Sequence, residues 1–225
     1  ITTGQIDDLC YEFINDNGAC SAPLFYRGFP KSCCTSPNHT ICHGIPGNKI
    51  LTDGDIINVD VTTYKNGWHG DTSRMYYAGE VSVKAKKLIE VTYKSMMKAI
   101  DILNKEITLG DIGSTIQTYI EREGFSVVRD FCGHGIGRVF HQEPNILHYG
   151  RKGSGPKLKP GMIFTIEPMI NEGEHETKML NDGWTAVTKD KKLSAQFEHT
   201  VGITEQGYEI FTLSKKELNH PPYSV

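Results

Sequence analysis

Residues 2–18, TTGQIDDLCYEFINDNG, lie over residues 108–124, TLGDIGSTIQTYIEREG, at an offset of 106. Thr2/Thr108, Gly4/Gly110, Ile6/Ile112, Ile14/Ile120 and Gly18/Gly124 coincide, and Phe13 and Tyr119 are both aromatic. Further on, residues 51–60, LTDGDIINVD, lie over residues 158–167, LKPGMIFTIE, at an offset of 107, which matches Leu51/Leu158, Gly54/Gly161, Ile56/Ile163 and the acids Asp60/Glu167. Two matches in the same order at nearly one spacing mark an internal repeat. The chain therefore reads as one domain of two related halves, about 1–105 and 106–225, each running helix, loop, turn, strand, acid.

Each copy of the first match reads as an amphipathic helix closed by a glycine. Between the copies, residues 82–103 carry Leu88, Val91, Met96, Ala99, Ile100 and Leu103 near helical spacing, with Ser82 as N-cap, and predict one long helix. DIINVDVTTY (55–64), SRMYYAG (73–79), GMIFTIEPMI (161–170), WTAVTKD (184–190), AQFEHTVGIT (195–204) and YEIFTL (208–213) are β-rich and bounded by turn residues, as strands are. The fold class is α+β, with mainly antiparallel sheets flanked by helices. Duplicated halves pack most simply about a pseudo-twofold axis, which sets Asp60 and Glu167 facing one another at a shared site.

The 225 residues suffice to bury roughly 70–75% of the unfolded surface. At 38% hydrophobic and 23% charged the chain is neither disordered nor fibrous, and no apolar run approaches the roughly 20 residues of a membrane span. A net charge of −3 argues against a nucleic-acid backbone, DNA included, as the main partner. Cys10, Cys20, Cys33, Cys34, Cys42 and Cys132 show no C-x-x-C spacing and read as reduced thiols of a cytoplasmic protein. The start at Ile1 lacks the basic flank and apolar core of a signal peptide and reads as trimmed.

Asn66-Gly67, between two β-rich runs, predicts a two-residue type I′ hairpin turn. Lys65 then pairs with Trp68 and Thr62 with Asp71, so Asp60 and Asp71 become diagonal neighbours on one face. An unpaired Asp60 inside IINVDV would cost several kcal/mol, so a bound cation is the better reading than a solvated acid. Glu167 ends a second apolar run, and Glu198 alternates with Gln196 and Thr200 on one face of a third. His134 and His141 in CGHGIGRVFH and His43 in ICHGIPG are flanked by glycines that permit close approach of backbone and substrate. A zinc site built on Cys132 lacks a second cysteine or histidine at finger spacing. Four carboxylates and an imidazole suit a pair of Mn, Fe, Co or Zn ions.

CHGIPG (42–47), NVDVTTYKNGWHGDTSRM (58–75), GHGIGRVFH (133–141), TIEPM (165–169) and SAQFEHT (194–200) resemble, in order and spacing, the signature blocks of the type I methionine aminopeptidases. The resemblance runs from about residue 2 to 213. It implies the pita-bread fold around two divalent metal ions, Co, Mn, Fe or Zn. Asp60, Asp71, His134, Glu167 and Glu198 match the metal ligands, with Asp71 and Glu198 bridging, Asp60 completing one ion, and His134 with Glu167 the other. The implied reaction is removal of N-terminal methionine from nascent proteins and peptides with a small second residue, by attack of a metal-bridging hydroxide. Glu167 would move the proton, while His43 and His141 match substrate-facing histidines.

The resemblance also assigns a methionine pocket, with Tyr26, Phe29 and Cys34 as one wall and Phe140 and Trp184 as the other. Phe29 stands where tyrosine is frequent, a departure that bears on inhibitors more than on substrate. Asn38, Thr40 and Ser194 match a monovalent-cation site, in a loop, SPNHT, that departs from the family pattern. Xaa-Pro aminopeptidases and prolidases share the ligand set but carry an extra N-terminal domain. Type II enzymes insert a subdomain between the last two glutamates, here only 31 residues apart. A non-enzymatic pita-bread binding protein would have lost ligands. A monomer without membrane attachment is expected. Lys84, Lys86, Lys87 and Lys189, Lys191, Lys192 read as solvated surface, with a transient ribosome contact as the functional alternative.

Overall fold

The structure, a computed structural model, describes residues 1–223. The first half contains α1 (Thr3–Asp16), β1 (Cys20–Ser21), β2 (Cys34–Pro37), β3 (Thr40–Cys42), β4 (Ile56–Lys65), β5 (Trp68–Tyr77) and α2 (Val83–Asp101). The second contains α3 (Leu109–Arg122), β6 (Ser126–Val127), β7 (Gly133–Gly135), β8 (Gln142–Ile146), β9 (Ile163–Ile166), β10 (Met169–Asn171) and β11 (Thr177–Met179). It closes with β12 (Ala186–Thr188), β13 (Ser194–Gln196), β14 (Glu198–Ile203) and β15 (Tyr208–Ile210).

The repeat is visible in the hydrogen bonding. Thr2 caps α1 with Gln5, and Thr108 begins α3 with its N–H and hydroxyl on the Asp111 carboxylate. Thr2 bridges Ile50, and Thr108 bridges Lys157. The Gly4 N–H donates to the Gly47 carbonyl at 2.8 Å and the Gly110 N–H to the Ser154 carbonyl at 2.9 Å, again one repeat apart. Ser82 caps α2 as expected, its hydroxyl accepting the Ala85 N–H.

Nine strands form the main sheet, in the order β1-β4-β5-β14-β9-β7-β8, with β2 beside β4 and β15 beside β14. The central run β4-β5-β14-β9 is antiparallel throughout and reads the same from either end in terms of the two halves, with the β5–β14 pair joining them. Leu88, Val91 and Met96 of α2 and Ile112, Ile116 and Ile120 of α3 pack with Phe164, Ile166, Val201 and Ile203 in one buried core. By strand alternation, Thr165, Glu198 and Thr200 are left on the opposite face.

Two expected strands are each broken. GMIFTIEPMI divides at Glu167-Pro168 into β9 and β10, and AQFEHTVGIT divides at Phe197 into β13 and β14. Pro168 has no N–H for a ladder, and the partner strand breaks opposite it. Beyond the break β10 pairs β13 in a separate three-stranded sheet with β6, while β9 remains with β14. β5 begins at Trp68, ahead of the β-rich run at 73–79, and pairs β4 up to the turn as the hairpin reading expects. The expected strands at 184–190 and 208–213 shorten to β12 and β15. Among the described residues no helix is long and apolar enough to cross a membrane.

Candidate metal centre

The β4–β5 turn has Asn66 at φ 52° and Gly67 at φ 85°, the two positive values of a type I′ turn. Lys65 pairs with Trp68, Thr62 with Asp71 and Asp60 with Ser73, so Asp60 and Asp71 are diagonal neighbours as the turn predicts. Glu198 also pairs with Ser73, from the other side of β5, which brings it to the same point from the second half. The Asp71 main chain is held there by Thr200, whose hydroxyl accepts its N–H at 3.0 Å and donates to its carbonyl at 2.7 Å. Thr62 donates to Asp71 Oδ1 at 2.7 Å.

His134 lies on β7, with Nε2 3.7 Å from Asp71 Oδ2 and 3.7 Å from Glu167 Oε1. Asp71, His134 and Glu198 each present a ligand atom within 4.8 Å of the others, and all three are buried. Gly133 and Gly135 flank His134 because a side chain at either would collide with a backbone carbonyl, of Thr165 on β9 and of Glu143 on β8. The approach they permit is of neighbouring strands, rather than of substrate. The same holds for Gly44 after His43, which packs against the Thr35 carbonyl. His43 itself adopts φ 56°, a left-handed conformation that a non-glycine residue rarely takes.

Burial dominates the electrostatics. It pushes the Asp60 carboxyl up to about 6, against hydrogen bonding from Asp71 and Glu198 that favours its charged form. It pushes Glu167 up to about 8, partly opposed by the Thr165 hydroxyl. Asp71 and Glu198 rise well above the usual carboxylate range, from burial first and then from the neighbouring acids. Among the described residues no lysine or arginine pairs with these four carboxylates; the ion pairs that reach them come from His134. Asp60 Oδ1 is buried without a hydrogen-bond partner. Such a set is short of positive charge, and its hard oxygen donors with one imidazole fit divalent ions.

The cluster floors a cavity of about 500 Å³ lined by every residue expected to touch metal or substrate: Tyr26, Phe29, Cys34, His43, Asp60, Asp71, His134, Phe140, His141, Glu167, Trp184 and Glu198. The aromatic contacts cross the expected division of the walls. Tyr26 packs on Phe140 at 4.8 Å between centroids and stacks on His141 at 5.1 Å, whereas Phe29 meets Trp184 edge-on at 5.2 Å. Partial loss of solvation in the cavity lowers His43 and His141, and neighbouring cationic groups add to it at His141, so both imidazoles are neutral near pH 7. Cys42, Thr62, Phe131 and Met169 also line the cavity and were not anticipated. Cys42 adjoins His43 and Met169 follows Glu167 by two, so nearness in sequence was the available signal. Thr165 and Gln196 were missed as well, although each lies two residues before a ligand. They donate to Glu167 Oε1 at 2.7 Å and Oε2 at 3.3 Å.

Asn38, Thr40 and Ser194 adjoin where β2 turns into β3, and the Asn38 carbonyl accepts the Ser194 N–H at 2.9 Å. The Asn38 amide is engaged by Asp55 and Ile56, and the Ser194 hydroxyl by Ile170 and Asn171. All six cysteines are free thiols.

The model of metallopeptidase family M24 matches residues 1–205. The methionine aminopeptidase of Rickettsia prowazekii is 59% identical over 224 residues, covering 99% of this chain and 86% of the relative. That of Escherichia coli K12 is 50% identical over 219 residues, covering 96% and 83%. The crystal structure of the Rickettsia prowazekii methionine aminopeptidase superposes with a TM-score of 0.94, covering 95% of this chain and 86% of that one. An X-Pro aminopeptidase from Thermotoga maritima, 23% identical with a TM-score of 0.70 over 94% of this chain and 53% of its own, shares the fold. The chain belongs to metallopeptidase family M24 and, within it, to the methionine aminopeptidases.

Proposed function

We propose that the chain removes the N-terminal methionine from nascent proteins and peptides whose second residue is small, using two divalent ions of Co, Mn, Fe or Zn. The observation that carries the reading is the cluster of four acids, Asp71 and Glu198 buried and Asp60 and Glu167 half-buried, with one imidazole and, among the described residues, no lysine or arginine partner, at the floor of an aromatic cavity. Asp71 and Glu198 would hold both ions, Asp60 one, and His134 with Glu167 the other. When bound, the ions supply a water nucleophile at neutral pH and an electrophile for the scissile carbonyl.

The protein's own groups do the rest. Glu167 takes a proton from the attacking water and delivers it to the leaving amine. His43 and His141, both lowered by lost solvation and therefore neutral near pH 7, donate hydrogen bonds to the peptide as negative charge develops on it. Tyr26, Phe29, Cys34, Phe140 and Trp184 enclose the unbranched thioether side chain. The substrate's free α-amine binds beside Asp60, so chain ends are read and internal bonds are not.

Both halves act as one catalytic domain, since the ligands come from each. A monovalent cation between Asn38, Thr40 and Ser194 would rest on main-chain carbonyls, the Asn38 and Ser194 side chains being engaged elsewhere. Six free thiols suit a reducing, cytoplasmic compartment, and the family resemblance favours a monomer. A transient ribosome contact would fall to the lysine clusters, of which Lys84, Lys86, Lys87 and Lys192 pair with Glu172, Glu80, Glu123 and Asp190. Release of the first residue from Met-Gly-Ser, Leu-Gly-Ser and Ala-Pro-Ser by metal-stripped protein, with and without Mn²⁺, tests the reading. Metal-dependent cleavage of the methionine peptide alone is expected; cleavage of Ala-Pro-Ser would move the chain to the prolidase side of the fold, and no cleavage would leave a binding protein.

A further inference from the structure

We propose that Thr165 is a positioning residue that assembles one half of the metal centre, so that one of the two ions depends on its hydroxyl and the other does not. The inference rests on the five-ligand reading and assigns a role to a residue outside it. Thr165 lies on β9, fully buried, on the face turned away from the helix-packed core. Its Oγ1 accepts the His134 main-chain N–H at 3.0 Å and donates to Glu167 Oε1 at 2.7 Å. A backbone N–H can only donate, and the hydroxyl has one hydrogen, so that hydrogen is committed to Glu167. One side chain thereby ties the backbone of one ligand to the carboxylate of another, and these are the two ligands that would complete the same ion.

Other groups hold Glu167 without reaching His134. Gln196 donates to its Oε2, and its main-chain N–H donates to His148 Nε2 at 3.2 Å. Thr165 pairs with Thr200 across the sheet, but among the described residues its hydroxyl makes no hydrogen bond to the remaining ligands. Thr62 and Thr200 fix Asp71, and Asp60 is placed by β4, which pairs it with Cys34 of β2 and Ser73 of β5. The geometry thus divides labour between two threonines: Thr62 serves a carboxylate common to both ions, and Thr165 serves a pair belonging to one. Valine at position 165 keeps the shape, removes the hydroxyl, and frees the ring of His134 and the carboxylate of Glu167 to move apart.

The test is calorimetric titration of metal-stripped protein with Mn²⁺, comparing wild type, Thr165→Val, Thr165→Ser and Asp71→Ala, with thermal unfolding of each metal-free protein alongside. Wild type should bind two equivalents. Thr165→Val should weaken one of the two affinities by about 10–100-fold, the range for partners that orient a ligand, and leave the other within about threefold. Thr165→Ser, which retains the hydroxyl, should restore both. Equal weakening of both ions by valine, two unchanged affinities, or failure of serine to rescue would each overturn the proposal. If valine prevents folding, Thr165→Ala is read by the same criteria. A wild type that binds no Mn²⁺, or an Asp71→Ala protein that binds two equivalents, would overturn the ligand reading and take this proposal with it.

Discussion

The first half of the molecule delivers its two acids from one hairpin, whereas the second delivers two acids and a histidine from three strands. Asp60 and Asp71 are set by a two-residue turn, and every pair from Ile56 with Tyr77 to Lys65 with Trp68 follows from it. His134, Glu167 and Glu198 sit on or beside β7, β9 and β14, whose alignment depends on β14 pairing with β9 on one side and β5 on the other. The first arrangement is secured locally by backbone conformation. The second is secured by close packing: Gly133 and Gly135 let β7 lie against its neighbours, and Pro168 ends β9 beside Glu167. One metal centre thus rests on two kinds of geometric control.

The strongest way to break that comparison is to remove from each half the acid proposed to hold both ions. Asp71→Ala and Glu198→Ala should each reduce hydrolysis of a methionine peptide by about 10³-fold or more, beyond the effect of altering a ligand's support. Substantial turnover in either variant would contradict the convergence of the halves on one site. The packing argument is tested by glycine substitution, followed by denaturant unfolding. Gly133→Ala and Gly135→Ala should each cost about 3 kcal/mol, since the new methyl meets a backbone carbonyl that has no room to yield. Gly67→Ala, whose methyl meets only the end of the Arg138 side chain at 3.3 Å, should cost only about 1 kcal/mol for its left-handed backbone. Equal costs would erase the distinction between local and packed control.

A smaller effect is expected at the rim of the site. His141→Ala should lower kcat by about 100-fold while metal content, measured by atomic emission, stays at the wild-type level. Loss of metal in that variant would show that His141 holds the centre together instead of facing substrate.

Glu167 is raised to about 8 in the folded, metal-free protein from an ordinary value of 4.5, so between these values the folded state holds a proton that the unfolded state has released. Stability of the metal-free protein must then fall as pH rises through that window. The depressed histidines, His141, His148 and His199, act in the opposite direction only below their ordinary 6.5. From pH 6.5 to 8 the metal-free protein should therefore lose about 1–2 kcal/mol in denaturant titrations. A metal-free protein that gains stability across that range would contradict the crowding of acids at the site.

What was legible in the sequence divides along the same line. Thr2, Ser82, Gly18 and Gly124 mark helix ends by chemistry that acts within a few residues, and the Asn66-Gly67 turn fixed the parity of Asp60 and Asp71. The four acids stood out because charge inside apolar strands is costly, and that cost needs no tertiary information; His134 was marked only by its flanking glycines and by the family resemblance. The break at Phe197 had no local mark, being imposed by Pro168 across the sheet. Thr165 and Gln196 escaped notice because a hydroxyl or an amide at a buried position carries no charge to explain, although both share a face with a ligand. The contacts of Tyr26 with Phe140 and of Phe29 with Trp184 join residues more than a hundred positions apart, and only the closed fold brings them together.

The most direct test of the central claim is anomalous scattering from crystals of the protein loaded with Mn²⁺. The account predicts two peaks about 3.5–4 Å apart, both touched by Asp71 and Glu198, one also by Asp60 and the other also by His134 and Glu167. A single peak, or two peaks held by other residues, in protein that cleaves the methionine peptide would contradict it.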